Sequence, residues 1–92
     1  MDLKELRNKI NEIDEELLSL YLKRMDISKQ IGQYKKEHNL PIYDSKREEE
    51  LINNLLNKIN NNELKANYKK IILLILDESK NQQKNDYNFV MT

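Results

Sequence analysis

The sequence predicts an all-α protein: three helices per chain, one of them very long, paired into an intertwined homodimeric helical bundle. Three observations carry this. Of 92 residues, 35% are charged and 38% hydrophobic, with one glycine and one proline, the profile of long helices rather than of sheets. Leu3, Leu6, Ile10, Ile13, Leu17, Leu20, Arg24, Ile27, Ile31 and Tyr34 alternate spacings of three and four, an unbroken a/d heptad pattern. The third observation is a mismatch of length. A helix over residues 3–37 is about 50 Å long at ~1.5 Å rise per residue, whereas a compact monomer of this size has a radius of gyration of about 12 Å. Such a helix projects from its own subunit and finds a partner there, hence an obligate dimer.

The first helix should run from about residue 3 to about residue 37. His38-Asn39-Leu40-Pro41 ends it, because Pro41 forbids continuation and the residue before a proline prefers extended backbone. Asp44 or Ser45 caps the second helix; Ser45 with Glu48 fits a capping box. Leu51, Ile52, Leu55, Leu56 and Ile59 give that helix one apolar face, and the asparagines at 60–62 break it. The third helix begins near Leu64 or Lys65. Its run Ile71-Ile72-Leu73-Leu74-Ile75-Leu76 has no turn residues on either flank, so the helix extends to about Gln83. Apolar all round, it belongs at the centre of the assembly. Residues 1–84 form one helical domain; 85–92 lack periodicity and read as a C-terminal tail.

Composition excludes several classes of function. Sixteen basic and sixteen acidic residues cancel, and no basic stripe suggests nucleic acid. There is no cysteine, so disulfide and thiolate chemistry is out. His38 is the single histidine, which rules out a histidine-rich metal site. No signal-peptide pattern and no run of membrane-spanning length is present. The chain reads as cytoplasmic, with no membrane or nucleic-acid partner and no metal.

The polar residues on apolar faces are the candidates for function. Only three arginines occur against thirteen lysines, and Arg24 sits inside the apolar seam. Arginine is not interchangeable with lysine where a planar fork grips a carboxylate; a charge there can also serve only to set helix register. Arg7, Asp14, Tyr21, Ser28 and Lys35 share the heptad e position beside the seam. Arg24 and Lys35 share a face about 16 Å apart, while Arg7 lies about 25 Å from Arg24 and about 42 Å from Lys35. Arg7 and Lys35 meet only if a second copy runs antiparallel, so the dimer offers a composite basic site. Ser79 and Gln83 prolong the stripe of Ile71, Ile72 and Ile75, either as site residues or as the wet end of the helix. Asp44, Arg47 and Glu48 cluster on the first turn of the second helix, where capping and a surface ion pair are the ordinary explanation. Gly32 allows close approach of a helix or of a ligand. His38 reads as a solvated loop residue.

With these residues assembled, the chain resembles the all-helical, type II class of chorismate mutase over about residues 3–84. The resemblance rests on Leu6-Arg7-Asn8-Lys9-Ile10, Ile13-Asp14, Arg24, Gly32-x-x-Lys35, Pro41-Ile42-Tyr43-Asp44-x-x-Arg47-Glu48 and Glu78-Ser79-x-x-x-Gln83. The connection before the third helix is about one residue shorter than in familiar members, which leaves Gln82 as an alternative to Gln83. The motif closes near the last residue, so a fused dehydratase or dehydrogenase domain is not expected.

The resemblance implies a Claisen rearrangement of chorismate to prephenate in phenylalanine and tyrosine biosynthesis, without cofactor or metal, in a homodimer with shared sites. It implies that Arg24 and the second subunit's arginine at position 7 grip the two carboxylates. Lys35 and Gln83 then serve the ether oxygen, Glu48 and the Asp44 backbone the ring hydroxyl, and Ser79 and Arg47 support a carboxylate. An isochorismate-pyruvate lyase on the same scaffold is the nearest rival, and the set around Asp44, Arg47 and Glu48 leans against it. A non-catalytic helical dimerisation module explains the heptads but not Arg24, Lys35 and Gln83 together.

Overall fold

The computed structural model describes the backbone of residues 1–91 and the side chains of residues 1–85. Three helices follow in order: α1 (Leu3–Glu37), α2 (Ser45–Leu56) and α3 (Asn62–Met91), with no strand among the described residues. The all-α expectation holds. α3 packs against both α1 and α2, while α1 and α2 make no close backbone approach to each other.

α1 starts and stops where expected. Asp2 caps it by accepting the Glu5 N–H at 2.8 Å. At its end, Leu40 N–H donates to the Lys35 carbonyl at 2.8 Å and Asn39 N–H to the Lys36 carbonyl at 3.3 Å. Asn39 has φ of 56°. This is the Schellman pattern, with asparagine in the left-handed position usually given to glycine. The turn folds residues 40–44 back over the last turn of α1.

Of the two caps expected for α2 the structure uses Asp44, while the end of α2 and both bounds of α3 differ from the sequence expectation. Asp44 is the cap of α2, accepting the Arg47 N–H at 3.1 Å. Ser45 is therefore the first helical residue, and Glu48 is not committed to a capping box. α2 ends at Leu56, before Ile59; Lys58 N–H and Ile59 N–H bond back three residues, to Leu55 and Leu56, a tightened turn that unwinds the helix. α3 begins at Asn62 rather than near Leu64. Asn61 caps it, its side chain accepting the Leu64 N–H at 3.0 Å; asparagine is among the best N-caps. At the far end the helix continues through Met91, beyond the expected end at Gln83, so the backbone of the expected tail is helical as far as Met91. No glycine or proline stands in that stretch to stop it.

The molecule is a single layer of helices. Its principal extents are 55 × 26 × 15 Å and its radius of gyration is 16.7 Å, against about 12 Å for a compact chain of this length. Accessible surface is 7692 Å², where a compact monomer of this mass exposes about 5,600 Å². Ile72 and Leu76 are the buried hydrophobic residues among those described. The α1 seam stays open: Leu6, Ile10, Ile13, Leu17, Leu20, Ile27 and Ile31 are all exposed, as are Ile71, Leu73 and Leu74 on α3. In a single chain α3 is central in touching both neighbours, but its apolar surface is not covered all round. No helix among the described residues is long and apolar enough to cross a membrane.

Candidate functional site

Between the C-terminal half of α1, the start of α2 and the middle of α3 lies a cleft of about 500 Å³. α1 contributes Arg24, Ser28, Ile31 and Lys35, spaced four, three and four, so one face of one helix carries them all. α3 contributes Leu76, Ser79, Lys80 and Gln83, and the turn and α2 bring Ile42, Asp44, Arg47, Glu48 and Leu51. Of the residues singled out from sequence, Arg24, Lys35, Asp44, Arg47, Glu48, Ser79 and Gln83 line this one cleft. Arg7 is exposed and lies outside it.

Arg24 is half-buried and its Nη1 donates to Ser79 Oγ at 2.6 Å. Ser79 is buried and also leans on Met25 Sδ at 3.8 Å. One N–H of the fork is thus used to aim it, and the others remain for an anion. Lys35 Nζ donates to the Ile42 carbonyl at 2.7 Å. The turn built by the end of α1 supplies that carbonyl, so the segment that ends the helix also holds this lysine.

Gln83 is buried and donates from Nε2 to Ser28 Oγ at 2.9 Å. Its Oε1 is buried without a hydrogen-bond partner, a cost of about 1–3 kcal/mol for a polar group. Turning the amide over lets the Ser28 hydroxyl donate to Oε1 and frees an N–H for an acceptor. Gly32 makes room for this side chain: a Cβ at position 32 would lie 2.9 Å from Gln83 Cγ. The close approach that glycine allows is therefore that of α3. Gln82 is half-buried and does not line the cleft, whereas Gln83 does.

On the opposite wall, Glu48 is clamped by Lys80, at 3.0 Å to Oε1 and 3.3 Å to Oε2. The ammonium also approaches Asp77 at 3.5 Å and sits 4.8 Å from the centre of the Tyr43 ring. The Glu48 hydrogen bond, with the charges of Glu48 and Asp77, pushes the Lys80 pKa above the usual lysine value against the opposing effect of burial. Arg47 stays exposed and forms no ion pair with Asp44 or Glu48 among the described residues; its link to Asp44 is the backbone cap.

Five cationic side chains, including Lys23, face two carboxylates in this cleft, an excess of three positive charges between partly apolar walls. Such a site suits a small anionic ligand. Sequence reasoning did not assign Ser28, Lys80 or the Ile42 carbonyl to the site. Ser28 was within reach, in the same heptad row as Lys35. Lys80 follows Ser79 and precedes Gln83 by one turn, so spacing alone puts it near that face.

Comparison with known proteins gives one consistent family. The family model described as "Chorismate mutase type II" matches residues 6–84. A bifunctional chorismate mutase/prephenate dehydratase from Aquifex aeolicus is 46% identical over 55 residues, which are 60% of this chain and 15% of that protein. One of the same description from Buchnera aphidicola is 37% identical over 84 residues, 90% of this chain and 22% of that one. The chain thus spans less than a quarter of the length of these curated relatives. Among solved structures, a conserved hypothetical protein from Pyrococcus furiosus superposes with a TM-score of 0.73 at 41% identity, over 88% of this chain and 93% of that one.

Proposed function

This chain belongs to the type II chorismate mutase family, and we propose that it catalyses the rearrangement of chorismate to prephenate on the route to phenylalanine and tyrosine. The observation that carries the reading is the convergence of Arg24, Lys35 and Gln83 on one cleft with Glu48 on its far wall. Chorismate is a dicarboxylate with an ether bridge and a ring hydroxyl. Its ether C–O bond breaks as a new C–C bond forms within the same molecule. No proton moves and no nucleophile attacks, so the reaction calls for no cofactor. What remains for the protein is to hold the reactive conformer and to stabilise negative charge on the ether oxygen.

In this reading Arg24, held by Ser79, grips one carboxylate through its remaining donors. Lys35 has donors beyond the one given to Ile42, and these serve a carboxylate and the ether oxygen. Gln83 donates its amide N–H to that oxygen and, being neutral, needs no acid to do so. Glu48 and the backbone at Asp44 take the ring hydroxyl, and Arg47 supports a carboxylate from the rim. The reading also takes the protein to be cytoplasmic, as a biosynthetic enzyme of this family.

A second carboxylate needs a second fork, and we assign it to the partner subunit's Arg7 in an antiparallel homodimer. Three features support this assembly: the open heptad seam of α1, the single-layer shape, and the surface in excess of a compact monomer. A packed domain needs two layers around its core, and a second copy supplies the missing one.

The test is the loss of chorismate absorbance with purified protein, prephenate being identified by acid conversion to phenylpyruvate. Saturable turnover that Arg24→Ala abolishes is the expected result. A folded helical protein without turnover sinks the reading, and pyruvate release from isochorismate would replace it with the lyase.

A further inference from the structure

Lys80 has no part in the reading above, yet it lines the same cleft. Its surroundings set it apart from the other cations there. Arg24 is held by a hydroxyl and Lys35 by a backbone carbonyl, both neutral, so their charges stay available to an anionic ligand. Lys80 is matched to a carboxylate, within 3.3 Å of both oxygens of Glu48. The pair is half-buried, with side-chain exposures of 28% for Lys80 and 20% for Glu48. Asp77, at 3.5 Å, and the Tyr43 ring, at 4.8 Å, also lie against the ammonium. To bind a ligand carboxylate, Lys80 would have to leave Glu48 unpaired beside a dianion, and stranding one member of a partly buried pair is costly.

We propose that Lys80 is a positioning residue for Glu48: it fixes the carboxylate against the cleft wall and balances its charge. That end of the site then accepts a hydroxyl without repelling a dianionic substrate. A carboxylate offers about four acceptor sites, so Glu48 keeps room for a donor while Lys80 holds it. The cleft is thereby divided. Uncompensated cations read the carboxylates at one end, and a charge-balanced pair reads the hydroxyl at the other. This assignment rests on the mutase reading.

The experiment is a double-mutant cycle on the full chain, with steady-state kinetics on chorismate. Lys80→Met is expected to raise KM roughly tenfold, the scale of one charged hydrogen bond, and to change kcat much less. Lys80→Arg, which can still grip Glu48, should restore KM to within a few fold of the parent. In a Glu48→Gln background, Lys80→Met should add no further loss, because the two residues act as one unit. Equal losses in both backgrounds would mean that Lys80 acts on the ligand directly and would overturn the proposal. So would an unchanged KM with only a lowered melting temperature, the mark of a strut between α2 and α3. A substrate-free measurement separates this from the mutase reading: NMR titration of the Lys80 side chain should move to lower pH in Glu48→Gln. If the parent protein turns over no chorismate, the mutase reading and the hydroxyl assignment fall together. If the titration does not move, the pairing itself is refuted.

Discussion

Gln83 depends on two small residues one helical turn apart on α1. Ser28 holds its amide, and Gly32 leaves the notch through which its side chain passes. Gly32→Ala would put a methyl group 2.9 Å from Gln83 Cγ and 3.2 Å from its Cβ, inside contact distance. Alanine's helix propensity exceeds glycine's by about 1 kcal/mol, which opposes the clash, so backbone and contact effects can be read separately. Helix content by circular dichroism should hold. Turnover should fall roughly 10²–10³-fold if the amide is driven from its place, the usual cost of losing a donor at developing charge. Full turnover in Gly32→Ala would show that the notch at Gly32 does not set the place of the amide. Arg24, Lys35 and Gln83 were legible in the sequence because each interrupts or flanks an apolar stripe. Lys80 was not, because its partner Glu48 is 32 residues away, and no periodicity says how α2 lies on α3.

The end of α1 is as much a part of the site as its face. The Schellman turn uses the carbonyl of Lys35 as an acceptor and returns the carbonyl of Ile42 to its ammonium. Asn39 makes this possible by accepting φ of 56°. Valine there, β-branched and poorly tolerated in the left-handed region, should cost about 1–2 kcal/mol, read as a lowered melting temperature with loss of turnover; glycine should be accepted. A stable, active Asn39→Val would show that the turn does not position Lys35. Among the elements, the long heptad run gave α1 its full extent from sequence alone. The asparagines were harder to read. The same side chain that discourages a helix interior caps a helix start, and Asn61 proved to be a cap. Past Gln83 the apolar pattern fades but nothing breaks the backbone, so periodicity ended before the helix did.

For the whole molecule, the proposed shared site makes a prediction that no single chain can satisfy. Arg7→Ala and Arg24→Ala should each be inactive, yet an equal mixture after subunit exchange should regain about a quarter of the parent activity. Half of the chains then sit in mixed dimers, each with one intact site of two. No regain would separate Arg7 from the site. The mismatch between helix length and chain size was visible in the sequence and reappears as a layer 15 Å thick; the cleft was not visible, because it depends on how the layer is assembled. That thin layer has one more consequence. If the chain closes its core with a second copy, as proposed, it folds with the molecularity of that assembly. In the homodimer proposed above, refolding should be second order, its half-time should lengthen on dilution, and a newly made chain should wait for a sibling before its site is complete. Under that proposal, abundance would set not only how many chains there are, but what fraction of them carries a complete site.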